Sequence, residues 1–361
     1  MKYIPISHIL DSVNTYGRTF VTPQQDVLYF NWSASTLEFQ FSGSSLSAFF
    51  TADCGYEFEG IPMDPNCPKR PTWPVVAVFV DDATVPCRTF KVNAADQTWT
   101  IFQSEDVETH RIRITKLTEN NKTFLGLRGF YTDGDIEKVE KIARPRMEIV
   151  GDSITCGYGN LVKDPGRHFF SCDEDGWNSY GPMAARNLGF EFSSICVSGI
   201  TAVKHQGWHG DYAMEELYAY TDRIYQAKLG LEPEKWDFDH NKNDYVVINL
   251  GTNDCFGILF SPDEGELQAF TSQYAAFIRQ VRKLNGPDTK IICALGTMNY
   301  YLYQDICKAV ELLQEENPDP NLHVFRFRPI HPFDGLGADT HPSMATHEKM
   351  AKELESFIKT L

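Results

Sequence analysis

Met147-Glu148-Ile149-Val150-Gly151-Asp152-Ser153 decides the fold of the second half of this chain. Its largely apolar run reads as a buried strand, and it ends at once in glycine and two small polar residues. Tyr245-Val246-Val247-Ile248-Asn249-Leu250 repeats the pattern and runs into Gly251-Thr252-Asn253-Asp254. A third corner, Val197-Ser198-Gly199-Ile200-Thr201, follows another run, and Asp339-Thr340-His341-Pro342 lies near the C-terminus. In an open parallel sheet, the loops at the carboxyl ends of strands are where a site is assembled. A serine, an amide and a histidine brought to one sheet edge supply a nucleophile, an oxyanion donor and a base, the parts acyl transfer needs.

Outward from that stretch, apolar runs alternate with helical periods. Strands are expected near 146–150, 190–197, 244–250, 289–295 and 322–328, and helices near 176–188, 211–228, 263–284, 303–315 and 343–360. This alternation predicts right-handed crossovers and a parallel sheet covered on both faces, a flavodoxin-like α/β/α sandwich over 136–361. The first 135 residues have a different period. Leu37, Phe39 and Phe41 alternate with Glu38, Gln40 and Ser42, and Ile112 and Ile114 alternate with Arg111, Arg113 and Thr115, as in strands with one wet face. Turn formers punctuate these runs, and Gly60 to Pro74 reads as a long loop. A β-sandwich or jelly roll is expected for 1–135.

The chain has 361 residues, 42% of them hydrophobic, enough for two cores. No stretch approaches the ~20 apolar residues of a membrane span. A net charge of −16 repels phosphate backbones and anionic lipid, so neither nucleic acid nor a membrane is an expected partner. The N-terminus lacks the unbroken apolar core of a signal peptide, and nine scattered cysteines with no C-x-x-C pair suit reduced thiols, so the expectation is a cytoplasmic protein. Oligomeric state is left open, a homo-oligomer included.

Each candidate residue has a plainer reading beside its chemical one. Gly-Asp-Ser and Gly-Thr-Asn-Asp are ordinary helix caps, and capping is the favoured role of Asp254. The setting of Ser153, Asn253 and Gly199 at three strand ends raises the chemical reading: Ser153 as nucleophile, and the backbone of Ser153 and Gly199 with the Asn253 amide as oxyanion hole. The glycines of Ile154-Thr155-Cys156-Gly157-Tyr158-Gly159 let backbone approach whatever Ser153 attacks. His341 is the base. In an extended segment, residues two apart point the same way, so Asp339 is expected to orient His341, with a backbone carbonyl as the alternative. His331 and His347 show that histidine in this region need not be catalytic.

Gly151-Asp152-Ser153, Gly199, Gly251-x-Asn253 and Asp339-x-His341-Pro342-Ser343 follow the order of the four blocks of the SGNH (GDSL-like) hydrolases, which the second half resembles throughout. The first half, with Tyr16-Gly17-Arg18, Phe30-Asn31-Trp32-Ser33, Leu37 to Gly43 and His110-Arg111-Ile112-Arg113, is similar to the jelly-roll domain of carbohydrate esterase family 2. The resemblance implies a cofactor-independent, metal-free serine esterase that removes acetyl groups from xylan, xylo- or hexose-containing saccharides. The broader SGNH pattern places Asp three residues before His, where this chain has Ala338. The two-residue spacing resembles family 2 usage, in which Asp or a main-chain carbonyl supports the dyad. Tyr158, Trp208 and Tyr300 are the candidate aromatic surfaces for sugar. Other readings are an esterase for longer acyl esters or thioesters, and a non-catalytic saccharide-binding protein. His205-Gln206-Gly207-Trp208-His209 has metal-ligand spacing but lacks the Glu of H-E-x-x-H, which argues against zinc.

Overall fold

The computed structural model describes residues 1–60, 66–204, 210–259 and 264–361. The chain forms two compact units, one of residues 1–143 with 168–177, the other of 144–167 with 178–361.

The first unit is built on an antiparallel sheet of eleven strands. Two long strands, Thr36–Phe58 and Asp96–Lys116, run side by side through it. Along the first, the core-facing residues change parity, from Leu37, Phe39 and Phe41 to Leu46, Ala48, Phe50 and Ala52. Register shifts at Gly43/Ser45 and Leu46/Ser47 accompany the change. A bulge displaces the side-chain alternation by one residue and bends the strand, so both parts present their apolar side to one core. The face expected to be wet is partly covered. Glu38 is buried, accepting a 2.7 Å hydrogen bond from the Tyr16 hydroxyl, with Arg111 Nε at 3.7 Å.

Three boundaries differ from the sequence reading. A division at 135/136 falls inside the short strand Asp135–Glu137, which pairs with Ser42 to Gln40 of the long strand. The segment Gly60 to Pro74 contains a strand, Lys69–Thr72, paired with Gly55 to Phe58, while 61–65 lie outside the described residues. Residues 168–177, although embedded in the α/β half of the sequence, pack in the first unit: the Trp177 ring lies 4.9 Å from Phe79, Gly176 N–H donates to Leu117 O, and Ser171 N–H to Glu57 Oε2.

In the second unit the parallel strands are β1 (Arg146–Gly151), β2 (Glu191–Cys196), β3 (Tyr245–Asn249), β4 (Lys290–Leu295) and β5 (Leu322–Arg326), in the order β2-β1-β3-β4-β5. This is the flavodoxin-like order, whose switch point, where the chain reverses its direction across the sheet, lies between β1 and β3. The helices are α1 (Ser153–Cys156), α2 (Tyr180–Leu188), α3 (Met214–Leu217), α4 (Arg223–Lys228), α5 (Asp254–Leu259), α6 (Glu264–Asn285), α7 (Tyr303–Glu316) and α8 (Met344–Ile358). Met147, Ile149, Val247, Ile292 and Ala294 pack on Tyr180 and Ala184 of α2 and on Met350 and Leu354 of α8. The alternate residues Val150, Val246, Ile248, Ile291 and Cys293 point to the other face and are equally buried, as strands covered on both sides must be.

The helix expected over 211–228 is two short ones. Asp222 restarts the chain as N-cap of α4, accepting from Tyr225 N–H at 3.0 Å. Helix α2 begins at Tyr180 rather than 176, and Pro182 fits its first turn, where a missing N–H costs no helical bond. Helix α5 carries no sequence expectation of its own.

Candidate active site

Ser153 stands two residues beyond the Gly151 end of β1. Glycine is required there, since a Cβ at 151 would lie 1.9 Å from Thr155 Oγ1 in the turn that follows. Asp152 caps α1, its Oδ1 accepting from Ile154 N–H at 3.0 Å. The Asp152 carboxyl is wholly buried, and burial, with the nearby Asp254 charge adding to it, pushes its pKa up to about 7. In the sheet ladder Gly151 lies opposite Cys196 of β2 and Asn249 of β3, so the corners after all three strands emerge at one level.

His341 Nε2 lies 3.0 Å from Ser153 Oγ. Its Nδ1 lies 3.2 Å from the main-chain carbonyl oxygen of Asp339. A carbonyl only accepts, so Nδ1 carries the hydrogen and Nε2 presents its lone pair to the serine hydroxyl, the tautomer a general base needs.

The expected orienting role of the Asp339 side chain is corrected by this geometry. The segment is not extended: Asp339 has φ 47° and ψ 39°, and Thr340 has φ 63°. Two successive left-handed residues turn the chain so that the carbonyl of Asp339, not its carboxylate, meets Nδ1. The carboxylate instead accepts from the Tyr158 hydroxyl at 2.9 Å. Such conformations cost of order 1–3 kcal/mol each and persist only where neighbours over-determine them. Here Ala338 N–H donates to Gly159 O at 3.1 Å, Gly337 N–H to His341 O at 2.8 Å, and Asp339 N–H to Arg167 O at 3.2 Å.

Gly159 acts on that same loop. With φ +64°, it lies where an added Cβ would come within 2.5 Å of Ala338 Cβ, and a Cβ on Gly337 would meet Gly159 O at 2.4 Å. Two glycines, one after the nucleophile and one before the base, let the two loops touch backbone to backbone.

Asn253, one residue before α5, donates from Nδ2 to Ile200 O at 3.0 Å. It therefore holds the corner that carries Gly199, itself left-handed at φ 81°. Asp254 does more than cap. Buried and first in α5, it accepts from Ala202 N–H at 3.1 and 2.9 Å and from Val203 N–H at 3.3 Å. Asn253 and Asp254 together fasten the β2 corner to the β3 corner, a role the motif spacing alone does not reveal.

The candidate sugar-binding aromatics divide. Tyr158 lies on His341, with ring centroids 4.2 Å apart and planes at 31°. The Tyr300 hydroxyl donates to Phe327 O at 2.9 Å, and its ring packs against the Arg326 guanidinium. Trp208, with the His205 and His209 spacing, lies outside the described residues. His347 is a core histidine: wholly buried, it accepts from Tyr180 N–H at 3.2 Å, and burial, reinforced by His341, lowers its pKa to about 3.

With this geometry in hand, comparison with known proteins finds two families. Residues 147–354 match the family described as GDSL-like Lipase/Acylhydrolase, and residues 15–139 match Carbohydrate esterase 2 N-terminal. The chain is 30% identical over 333 residues to the cellulase/esterase CelE of Acetivibrio thermocellus, covering 91% of this chain and spanning 37% of the length of that protein. It is 27% identical over 267 residues to an acetylxylan esterase/glucomannan deacetylase of Cellvibrio japonicus, covering 69% of each. Among solved structures, a family two carbohydrate esterase from Clostridium thermocellum in complex with cellohexaose superposes with a TM-score of 0.81 at 27% identity, over 96% of this chain and 98% of that one. This chain belongs to the GDSL-like lipase/acylhydrolase family, and its two halves together have the make-up of the family 2 carbohydrate esterases.

Proposed function

We propose that the protein is a carbohydrate O-acetyl esterase that deacetylates xylan, xylo- or hexose-containing saccharides and so serves polysaccharide degradation. The observation that carries the reading is the chain Ser153 Oγ, His341 Nε2, Nδ1–H and Asp339 O, at 3.0 and 3.2 Å, on a sheet edge where Asn253 holds the Ile200 carbonyl next to Gly199. Support for the substrate class comes from the relatives: the Cellvibrio japonicus protein is an acetylxylan esterase/glucomannan deacetylase. The net charge of −16 favours a neutral acetylated sugar over an anionic one. All nine cysteines are free, in keeping with the cytoplasmic expectation.

In this mechanism Ser153 Oγ attacks the acetyl carbonyl carbon while His341 Nε2 takes the hydroxyl proton. The carbonyl oxygen becomes an oxyanion, held by the N–H groups of Ser153 and Gly199 and by the Asn253 amide. Collapse breaks the bond to the sugar oxygen, which leaves with the proton from His341. Water, deprotonated by the same nitrogen, then attacks the acetyl-serine, releases acetate and restores Ser153. The charge on His341 is stabilised through Nδ1–H and the Asp339 carbonyl.

Acetate release from acetylated xylan and acetylated glucomannan, and hydrolysis of 4-nitrophenyl acetate, test the proposal. Ser153→Ala is expected to lower kcat by about 10⁴-fold or more. Wild-type turnover in that variant overturns the mechanism, and a strong preference for octanoyl over acetyl esters overturns the substrate class.

A further inference from the structure

We propose that Tyr158 is a positioning residue of the acyl-transfer reaction, its ring face stabilising the charge His341 acquires from the Ser153 proton, and that it is not a sugar platform. The inference rests on the serine-esterase reading above. One residue touches every part of the base machinery. Its N–H donates to Ser153 O at 3.1 Å, its ring lies 4.2 Å from the His341 ring at a tilt of 31°, and its hydroxyl donates to Asp339 Oδ2 at 2.9 Å. The left-handed glycines on either side, Gly157 at φ 83° and Gly159 at φ 64°, carry the chain from the nucleophile turn to the base.

The physical argument is differential. A cation within about 6 Å of an aromatic face is attracted by the ring quadrupole, more strongly where solvent is partly excluded. A neutral imidazole gains little from the same face, so the interaction grows as the proton moves from Ser153 to His341 and lowers the barrier rather than merely binding. The hydrogen bond to the Asp339 carboxylate fixes the plane of the phenol and enriches its electron density. Asp339 thus acts on His341 twice, through its carbonyl directly and through its carboxylate by way of Tyr158. The face turned to the imidazole is not open to a stacked sugar while the ring supports the base.

Among the described residues, the titratable groups near His341 include the Ser153 hydroxyl, Tyr158 and Asp339, with His347 facing it from α8 and the buried Asp152 next to Ser153 in the chain. His347 is neutral at working pH, and Asp152 beside Ser153 titrates at about 7 in parent and variants alike, so it is the difference in acid limb of kcat/KM between variants at 158 that reports His341. Four proteins are compared with the full-length parent: Tyr158→Phe, Tyr158→Leu, a chain with 3,4,5-trifluorophenylalanine at 158, and Ser153→Ala. Phe keeps the ring and is expected to stay within about threefold of parent kcat. Leu should lower kcat about tenfold or more with KM nearly unchanged, and move the acid limb to lower pH by about half a unit or more, because an unsupported imidazolium forms less readily. The fluorinated ring matches Phe closely in shape but has a weaker face, so its acid limb should fall below that of Phe even where the Leu variant does not fold. Equal acid limbs for Phe and trifluorophenylalanine overturn the proposal. So does a Leu variant with raised KM for acetylated oligosaccharide and unchanged kcat, the signature of a sugar platform. Undiminished turnover by Ser153→Ala marks failure of the serine-esterase reading itself; loss of turnover there with parent-like Tyr158 variants marks failure of this inference alone.

Discussion

Replacing Asp339 by Asn separates a main-chain-supported dyad from a conventional triad. In a triad, amide replacement of the orienting carboxylate forces the wrong histidine tautomer and costs about 10⁴-fold in kcat, some 5.5 kcal/mol of barrier. Here the acceptor on Nδ1 is the Asp339 carbonyl at 3.2 Å, which Asp339→Asn leaves in place. Asn also tolerates the left-handed φ of 47° that this position adopts. The substitution does alter the 2.9 Å bond from the Tyr158 hydroxyl, whose acceptor becomes a neutral amide oxygen instead of a carboxylate. A hydrogen bond to a charged group contributes about 1.5–3 kcal/mol and a neutral one about 1, so the bond weakens by about 1 kcal/mol; because it reaches His341 only through the Tyr158 ring, kcat should fall by no more than the roughly threefold expected of Tyr158→Phe, which removes the bond altogether. Initial rates on 4-nitrophenyl acetate and on acetylated xylo-oligosaccharide, with a melting curve to confirm folding, measure it. A folded Asp339→Asn enzyme slowed by 10³-fold or more would refute the reasoning, because the carboxylate would then be the group that holds His341.

Three further outcomes follow from the same structure. Asp152 keeps its proton up to about pH 7 in the native protein, whereas the unfolded chain releases it near 3.8, so the native state binds more protons between those values and stability falls as pH rises through that window. Asp152→Asn should flatten the dependence of Tm on pH over 4–8, by an amount bounded at about 4 kcal/mol; a curve parallel to the parent's contradicts the burial argument. Gly159→Ala places a Cβ 2.5 Å from Ala338 Cβ in a left-handed conformation, and displacement of the histidine loop should lower kcat by about 10-fold to 100-fold with a reduced Tm, whereas parent-like kcat counts against the contact. A fragment of residues 144–361 retains 168–177 but loses Phe79, Leu117 and Glu57, on which Trp177, Gly176 and Ser171 rest; exposing Trp177 and Phe169 forfeits about 1.5–3 kcal/mol each, so limited proteolysis should cut within that segment, and a soluble, fully active fragment would show the two units to be independent.

Much of the second unit is legible in the chain because burial leaves a periodic trace. Each of the five expected strands begins within a residue of an observed one, since a strand covered on both faces is apolar along much of its length. The order of the four motif blocks likewise places Ser153, Gly199, Asn253 and His341 after β1, β2, β3 and β5. The first unit is less legible. Alternation in Leu37, Phe39 and Phe41 reads correctly, but the change of parity beyond Gly43 appears only once the paired strand exposes the bulge, and Glu38 looks wet until Tyr16 and Arg111 cover it. The break between Leu217 and Arg223 is equally hard to foresee, because Asp222 caps α4 through a local bond that a hydrophobic pattern does not record.

By itself the sequence determined the fold class and the family and singled out Ser153 and His341 as the candidate nucleophile and base, for these rest on residue type, spacing and apolar period, all of which are local. Tertiary structure alone decided which atom of Asp339 supports His341, where the Tyr158 ring lies, that Asp254 fastens the β2 corner, and that 168–177 packs with the first unit. Each of these depends on contacts between residues far apart in the chain. The left-handed turn at Asp339 and Thr340 is held by Gly159 O and Arg167 O, more than 170 residues away, and no period in the sequence encodes the φ angle of a residue held by so distant a partner.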